Sequence, residues 1–455
     1  MERKIAIIGG GLAGSECALQ LAARGVCVDL FEMRPERPTD VHKTGDFAEL
    51  VCSNSLKSMK AESAAGMLKR ELDVLGSKLY ACARETSVAA GGALAVDREL
   101  FSGAVTRAIG ESALIEVVRR EVESFDELRG YAAIVVATGP LTSDALAASI
   151  SALTGSNHMA FYDAAAPIVL ADSLDYEILF RQSRYEDAVD SNGEQMGDYL
   201  NAPFTREEYD AFIEALLAAD RVIARDFETS DLFQACQPIE EIARKGNDAP
   251  RFGTMKPVGL TDPRTGKRPW AALQLRAENR ELTSYNLVGF QTNLKFGEQA
   301  RVFRMIPGLE NAEFARYGVM HRNTFIDAPR LLDRDLLFKA ENPLDCPIYF
   351  AGQVGGTEGY CEAIRSGLHV ALAVYAMLTD VALPELSNET AFGSLLAYAT
   401  DPETVDYQPS HVNFGIIKPL DAKIKNKSQR YAAYAERGER ALMAYRGQLA
   451  ARGLI

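Results

Sequence analysis

The distribution of apolar residues along the chain predicts buried parallel strands at both ends. Residues 5–8 are apolar without alternation, as in a strand covered on both faces, and a second apolar run follows at 26–31. Residues 15–24, between these runs, have helical spacing. Near the C-terminus, residues 347–352 form another apolar run, and residues 360–377 again have helical spacing. This order predicts a sheet that begins at the N-terminus and is completed near the C-terminus.

The middle of the chain has a different pattern, with short alternating runs. Residues 270–275 and 285–290 read as antiparallel strands joined by turns, and residues 205–217 read as a helix capped by Thr205. We therefore expect an α/β protein. A Rossmann-type domain with a parallel central sheet would comprise residues 1–150 and 331–455, interrupted by a mixed α+β insertion domain at 151–330.

A glycine-rich turn joins the first strand to the first helix and fits G-x-G-x-x-G. Gly9 permits the tight turn, Gly11 allows backbone amides to approach a pyrophosphate, and Gly14 allows close helix–strand packing. Glu32, eighteen residues after Gly14, stands where a carboxylate accepts from an adenosine ribose hydroxyl. The complete unit predicts a dinucleotide site formed by Gly9, Gly10, Gly11, Leu12, Ala13, Gly14 and Glu32.

A second glycine-rich segment follows the apolar run at 347–352 and precedes a helix. Backbone amides at such a helix start can face a phosphate or an electron-rich ring. We expect this segment to contact the ring or phosphate of the bound dinucleotide through Gly352, Gln353, Val354, Gly355, Gly356 and Thr357. Arg34 and Val122 are expected on the adenosine side.

Composition narrows the class of protein. The chain has 455 residues and ordinary apolar and charged fractions, enough for two or three domains. No stretch approaches the roughly 18–20 uninterrupted apolar residues of a membrane helix, and the N-terminus leads directly into the first strand, unlike a cleaved signal. Seven scattered cysteines without zinc-type pairing suit reduced thiols. We expect a cytoplasmic protein without a metal site, a membrane anchor or an obligate protein partner.

Charge is distributed unevenly along the chain. The net charge of −14 argues against a nucleic-acid partner. However, residues 251–304 carry ten basic against four acidic residues, and residues 418–452 carry nine against three. For either segment alone, the simplest explanation of the basic excess is a surface exposed to solvent. Together they favour a local site for an anionic partner.

Two cysteines, Cys52 and Cys236, lie in polar or proline-interrupted contexts typical of loops. Cys17, Cys27, Cys82 and Cys346 have apolar surroundings that predict small buried side chains, and Cys361 is ambiguous. A helix start beside Cys52 or Cys236 would lower the pKa of its thiol and favour the thiolate nucleophile. Such a thiolate can act as the nucleophile in covalent catalysis.

Nine segments in order resemble one family. They are Gly9–Gly14, FAELVCSNSLKS, GGALAVDRELF, VVATGPLTSDAL, FYDAAAPIV, MKPVGLTDPRTGKRP, NLVGFQTNLKFGEQ, FRMIPGLENAEFARYGVMHRNTFI and FAGQVGGTEGYCEAIRSG. Together they are similar to the folate- and FAD-dependent bacterial tRNA (uracil-5-)-methyltransferases, relatives of the glucose-inhibited division protein A family. The resemblance covers about residues 4–415. It implies methylation of C5 of the T-loop uridine of tRNA, giving 5-methyluridine (ribothymidine).

The resemblance also implies cofactors and roles. 5,10-methylenetetrahydrofolate would donate the carbon, FAD would supply the hydride, and NADH or NADPH would reduce the flavin. Cys236 would be the nucleophile that adds to C6, and Cys52 would assist C5 deprotonation or shield the nucleophile. The family commonly has Phe-Glu-Gly-Cys where this chain has Phe-Gln-Ala-Cys at 233–236. Candidate folate or RNA contacts, equally explained as structural ion pairs, are Lys256, Arg276, His321 and Arg322.

Four alternatives remain open at this stage. The same chemistry could act on ribosomal RNA. A wobble-uridine tRNA-modifying flavoprotein would carry a longer helical C-terminal domain than the roughly 75 residues that follow the last strand–helix unit here. A simple NAD(P)H–flavin oxidoreductase would need neither the basic insertion nor two loop cysteines. A non-catalytic flavin-binding RNA scaffold would not need Cys52 and Cys236.

Overall fold

A computed structural model describes residues 4–39, 41–155, 159–186, 196–223, 237–344, 346–404 and 407–455, without the side chains of 159–162 and 321–322. Its strands are β1 Ile5–Ile8, β2 Val28–Phe31, β3 Ser55–Ser58, β4 Ser87–Val88, β5 Ala93–Val96, β6 Ile115–Val118, β7 Ala133–Val136, β8 Met159–Ala164, β9 Ile168–Leu170, β10 Phe180–Arg181, β11 Tyr199–Phe204, β12 Ala271–Ala277, β13 Ser284–Leu287, β14 Phe314–Arg316, β15 Met320–Phe325 and β16 Ile348–Phe350. Its helices are α1 Leu12–Ala22, α2 Ala64–Val74, α3 Lys78–Glu85, α4 Arg98–Gly110, α5 Asp144–Thr154, α6 Arg206–Ala218, α7 Ile239–Arg244, α8 Ala249–Phe252, α9 Phe296–Phe303, α10 Ala328–Leu331, α11 Tyr360–Leu378, α12 Ala391–Ala399 and α13 Lys427–Ala451.

The central sheet has five strands in the order β16-β7-β1-β2-β6. Every neighbouring pair is parallel. All four residues of β1 are buried, as its unbroken apolar run predicts. β16 comes from the C-terminal part of the chain and lies at the edge next to β7. The predicted α/β fold with a parallel Rossmann-type sheet is confirmed.

The first strand–helix–strand unit differs from the prediction at its boundaries. Helix α1 was expected over 15–24 and spans Leu12–Ala22, while the second strand was expected over 26–31 and spans Val28–Phe31. The helix begins earlier because Gly11, in extended conformation, is already its N-cap residue. The last two glycines of the motif therefore bracket the first turn of the helix.

A second sheet, of six strands, is built from residues of the insertion. Its order is β10-β11-β12-β13-β9-β14, and its neighbouring strands are antiparallel. Helix α6 packs on it and is capped by Thr205, whose side chain accepts from the backbone of Glu208 as the sequence predicts. A separate antiparallel pair, β8 with β15, connects the insertion to the first domain.

Two large hydrophobic cores are distinct in sequence. One draws on residues between Ile5 and Ile150 and between Phe325 and Leu454, and the other draws on residues between Val169 and Ala312. Strands β8 and β15 lie at the two places in the sequence where the chain passes from one core to the other. The domain boundaries 1–150, 151–330 and 331–455 stay a prediction.

Helices α1 and α11 cross in close contact. A Cβ on Gly367 of α11 would lie 2.1 Å from the carbonyl oxygen of Ala13, so only glycine fits there. Helix α11 is long and apolar enough, by these two criteria alone, to cross a membrane, yet 78% of its most apolar window is buried in the fold. The contact brings the N-terminal ends of α1 and α11 to the same side of the central sheet.

Candidate functional site

A cavity of about 310 Å³ opens at the carboxyl ends of β1, β2 and β7. Ligand sites in parallel α/β sheets form at this edge of the sheet. The cavity wall includes nine of the fifteen residues expected to bind the cofactor: Gly9, Gly11, Leu12, Ala13, Glu32, Arg34, Val122, Gly352 and Gln353. Cys52 lies in the same wall. The cavity therefore brings together the predicted nucleotide site and one of the two predicted catalytic thiols.

The glycine turn separates residues that face the cavity from residues that allow packing. Gly9 has φ +102°, a conformation that other residues rarely adopt, and a Cβ on Gly14 would lie 1.9 Å from the Gly9 carbonyl oxygen. A Cβ on Gly11 would meet no atom within 4 Å. The open space at Gly11 lies at the N-terminus of α1, where unpaired amides and the helix dipole favour a phosphate.

Glu32 and Arg34 form a buried network at one end of the cavity. Oε2 of Glu32 accepts from the backbone N–H of Gly10 at 2.9 Å, and Oε1 accepts from Nε of Arg34 at 3.0 Å. Arg34 also donates to the carbonyl of Thr44 and to Glu49. Burial alone would raise the pKa of Glu32, but the Arg34 hydrogen bonds and charge outweigh it and hold that pKa below its usual value. Glu32 is thus an ionised acceptor tied to the glycine turn.

The second glycine segment contributes fewer cavity residues than expected. Gly352 and Gln353 line the cavity, whereas Val354, Gly355, Gly356 and Thr357 are buried behind it and are absent from the wall. The reason is the short 3-10 turn Gln353–Gly355, which directs the chain away from the cavity before α11 begins. Gly10 and Gly14 are also absent from the cavity wall. A Cβ added to Gly10 would point at the ring of Phe47, and one added to Gly14 would point at the Gly9 carbonyl.

The side-chain amide of Gln353 indicates whether the cavity suits a polar cofactor. Neither the oxygen nor the nitrogen of the Gln353 side chain has a hydrogen-bond partner among the described residues, although both atoms are buried. A buried amide left without partners is costly, so it indicates a ligand with both donors and acceptors. An isoalloxazine ring has both along one edge. The residues present therefore fit FAD.

Cys52 is held in place through its backbone. Its N–H donates to the hydroxyl oxygen of Tyr360 at 2.9 Å, and its carbonyl accepts from Nη2 of Arg98 at 2.7 Å. The preceding carbonyl, of Val51, accepts from Nη2 of Arg316 at 2.6 Å. The thiol is partly exposed in the cavity wall and approaches the carbonyl oxygen of Ala164 at 3.9 Å. Residues from four separate parts of the chain thus fix the position of this thiol.

The residues directly after Cys52 form a strand and not a helix start. Residues Ser55–Ser58 form β3, which pairs with β5, and the first helix after Cys52 begins at Ala64. The side-chain amide of Asn54 donates to the carbonyls of Val96 and Ala277 and thereby favours a strand here. The guanidinium groups of Arg98 and Arg316 bring positive charge to this segment, because they donate to the carbonyls of Cys52 and Val51.

Of the four cysteines expected to be buried, Cys17 and Cys346 are buried, whereas Cys27 and Cys82 are half-buried. Cys361, for which the sequence was ambiguous, is buried, and burial raises the pKa of its thiol to about 11. Burial also raises the pKa of Cys82. Cys236, the second predicted catalytic residue, lies outside the described residues. The chain after it is anchored, because the N–H of Ile239 donates to the carbonyl of Gln291 at 2.8 Å and the carboxylate of Glu240 accepts from Asn293.

The candidate folate and RNA contacts differ in their surroundings. Arg276 is buried and donates to Oδ1 of Asn54 at 2.8 Å, which makes it part of the support of the Cys52 segment. Lys256 is exposed. His321 and Arg322 lie in β15, which pairs with β8 beside the cavity residue Asp163, and their side chains lie outside the description. Of these four, Arg276 has a structural role.

Sequence reasoning missed an acidic pair in the cavity wall, Glu358 and Asp163. Burial raises the pKa of Glu358 to about 8, and the nearby Asp163 adds to the rise. Oε2 of Glu358 has no hydrogen-bond partner in the described part of the chain. The sequence near Glu358 could have indicated it as a site residue, since it lies between the glycines at 355–356 and the start of α11. Its proximity to Asp163, however, depends on a contact between distant segments.

Comparisons with known proteins agree with one another. The family model described as glucose inhibited division protein A matches residues 4–380. A methylenetetrahydrofolate--tRNA-(uracil-5-)-methyltransferase TrmFO of Geobacter sulfurreducens is 52% identical over 433 residues, covering 94% of this chain and 96% of its own length. The protein of the same name from Pelotomaculum thermopropionicum is 48% identical, covering 96% of both chains.

Among solved structures, GidA of Aquifex aeolicus has a similar fold. It aligns with a TM-score of 0.70 over 100% of this chain and 74% of its own, at 15% identity. A second crystal form of the same protein aligns with a TM-score of 0.67. At this identity, the likeness concerns the fold.

Proposed function

Because this chain belongs to the family of the methylenetetrahydrofolate--tRNA-(uracil-5-)-methyltransferases TrmFO, we propose that it transfers a one-carbon unit from 5,10-methylenetetrahydrofolate to C5 of the T-loop uridine of tRNA. The product is 5-methyluridine. The observation that carries this proposal is the position of Cys52 in the wall of the cavity that contains the α1 glycine turn. A dinucleotide site and a thiol in one cavity suit reductive one-carbon transfer to a ring.

The cavity residues would hold FAD in three places. The amides at the start of α1 would bind its pyrophosphate, Glu32 would accept from its ribose, and the Gln353 amide would meet the polar edge of its ring. Bound there and reduced by NADH or NADPH, FAD supplies the hydride that converts the transferred carbon to a methyl group. The buried Arg34 supports this site indirectly, because its guanidinium is occupied by Glu32, Glu49 and the Thr44 carbonyl.

The thiols address the low reactivity of uracil C5. The Cys236 thiolate adds to C6 and gives an enolate, whose C5 bonds to the one-carbon unit as the bond between that carbon and its carrier breaks. A base then removes the C5 proton, the C6–S bond breaks, and the thiolate is released as the C5=C6 double bond re-forms. Cys52 assists that proton removal from the cavity wall. Arg98, Arg316 and Tyr360 act as positioning residues, since they hold the backbone on both sides of Cys52. The target base leaves its stack to reach this cavity.

The test is an assay of purified protein with FAD, methylenetetrahydrofolate, NADPH and an unmodified tRNA transcript. We expect 5-methyluridine in digests of this transcript and none when its T-loop uridine is replaced by cytidine. Methylation of a ribosomal RNA transcript in place of tRNA would contradict the proposed substrate. Protein that acquires no flavin spectrum with FAD would contradict the proposed cofactor.

We place the reaction in the cytoplasm, with tRNA as the macromolecular partner.

A further inference from the structure

Three aromatic rings of the insertion are stacked in a row. The rings of Phe296 and Tyr317 are 5.0 Å apart at 17° to each other, and the rings of Phe314 and Tyr317 have the same separation and angle. Most other aromatic contacts described in this protein are tilted or edge-on, which is the commoner arrangement in protein interiors. We refer to Phe296, Tyr317 and Phe314 as the ring ladder.

The ring ladder leads from the insertion core to the surface. Phe314 packs against that core and Tyr317 is half-buried, whereas Phe296 is 54% exposed. An isolated exposed aromatic residue needs no explanation. Here, however, the exposed ring of Phe296 is the outer member of a stack. A further planar group could stack on it in the same way.

The ring ladder is held rigidly by a buried glutamine. The side chain of Gln299 in α9 donates to the carbonyl of Gly318 at 2.8 Å and accepts from its N–H at 2.8 Å. A Cβ on Gly318 would lie 2.6 Å from the carbonyl oxygen of Ala165, so this backbone cannot shift easily. Because Phe296 begins α9 and Tyr317 precedes Gly318, the two rings keep their relative position without a ligand.

The ring ladder also lies beside the Cys52 segment. Arg316, between Phe314 and Tyr317 in the chain, donates to the carbonyl of Val51, the residue before Cys52. The thiol contributes to the electrostatic surroundings of the Arg316 guanidinium, which confirms their proximity. A polynucleotide that delivers one base to the cavity would therefore pass close to these rings.

We propose that the ring ladder is a stacking platform for an RNA base that neighbours the target uridine. This inference rests on the proposed function, because it takes tRNA as the substrate. Bases that leave a helix stack on aromatic side chains, and such stacking tolerates different bases because every base has a planar face. The guanidinium of Arg316 adds positive charge next to the stack. A base held there keeps the RNA backbone in the conformation that places the uridine in the cavity.

Two substitutions at Phe296 test this role. Phe296→Leu keeps an apolar side chain but removes the ring, and Phe296→Trp keeps a ring. For Phe296→Leu we expect KM for the tRNA transcript to rise about tenfold, with little change in kcat at saturating tRNA. The Phe296→Trp protein should retain KM within about twofold. The rate of flavin reduction by NADPH without tRNA should be unchanged in both, which shows that the cofactor site is intact.

The outcomes separate this inference from the proposed function. If wild-type protein methylates tRNA and Phe296→Leu leaves KM unchanged, the platform is wrong and the function stands. If wild-type protein methylates no tRNA, both fail. A second copy of this chain is the other possible occupant of the rings. A change in sedimentation coefficient on Phe296→Leu, with KM for tRNA unchanged, would make the ring ladder a subunit contact and overturn the proposal.

Discussion

Among single residues, Cys52 differs from the other described cysteines in its surroundings. Its thiol is partly exposed in the cavity, and the charged groups around it include the guanidinium groups of Arg98 and Arg316. Cys17 and Cys361, in contrast, are enclosed, and burial raises the pKa of both thiols. Accessible thiols near positive charge are the reactive ones in proteins. Cys52 is therefore the described thiol best placed for chemistry.

Replacing the Cys52 thiol should impair methylation without affecting the flavin. For Cys52→Ser we expect single-turnover methylation of tRNA to fall by about 10²–10⁴-fold, the range for loss of a proton-transfer group. Flavin reduction by NADPH should keep its rate, because the Glu32 and glycine-turn contacts remain. Cys82→Ser, at a half-buried thiol of α3, is the matched control and should methylate normally. Full activity of Cys52→Ser would exclude the proposed role.

Glu358 should make stability depend on pH. Its folded-state pKa of about 8 lies above the ordinary carboxyl value of 4.5, so the fold favours the protonated form. This contribution is complete below pH 4.5 and is lost as pH rises through 8. We expect the unfolding free energy of Glu358→Gln, relative to wild type, to increase by about 1–3 kcal/mol between pH 5 and pH 9 in denaturant titrations. Glu62→Gln, at an exposed position, should show no such change.

At the scale of secondary-structure elements, the crossing of α1 and α11 organises the cavity. Gly367 of α11 supplies the close approach to α1, at the Ala13 carbonyl, and Gly14 supplies a second close approach, between α1 and the Gly9 carbonyl of the turn before it. Because of this crossing, the starts of both helices face the same cavity. A change that separates the two helices should therefore affect flavin binding and stability together.

Gly14→Ala tests the close packing of α1. Its Cβ would lie 1.9 Å from the Gly9 carbonyl oxygen, and backbone cannot give way cheaply. We expect a loss of about 2–4 kcal/mol in unfolding free energy and weaker FAD binding, measured by denaturant titration and flavin fluorescence. Gly447→Ala in α13 meets no atom within 4 Å and should be neutral or stabilising by about 0.5–1 kcal/mol. Equal effects of both substitutions would contradict this account.

Local and distant contacts were not equally predictable from the sequence. The strand–turn–helix unit at residues 5–22 is set by neighbouring residues, so its pattern was sufficient to predict the fold and the nucleotide site. The hydrogen bonds that hold the Cys52 segment were not predictable, because Arg316 and Tyr360 are far from it in sequence. The sequence around an arginine or a tyrosine does not indicate which distant group it will bond. For the same reason, Arg276 could be read equally as an RNA contact or as the buried support of Asn54.

At the scale of the whole molecule, the Cys52 segment connects the two cores. Asn54 bonds to Val96 on the side of the first domain and to Ala277 in the insertion sheet. Arg98 similarly pairs with Glu278 of the insertion while holding the Cys52 carbonyl. The thiol is therefore positioned by both parts of the chain. The wall of the cavity carries the glycine turn together with Asp163 of β8 and Asn323 of β15.

The central claim is that carbon passes from the folate to the tRNA uridine in this cavity. Its most direct test uses methylenetetrahydrofolate carrying ¹³C at the methylene carbon, with FAD, NADPH and unmodified tRNA transcript, followed by mass spectrometry of the nucleosides. The account predicts that 5-methyluridine appears and that its methyl group carries the label. Unlabelled 5-methyluridine, or oxidation of NADPH with no methylated nucleoside, would contradict it.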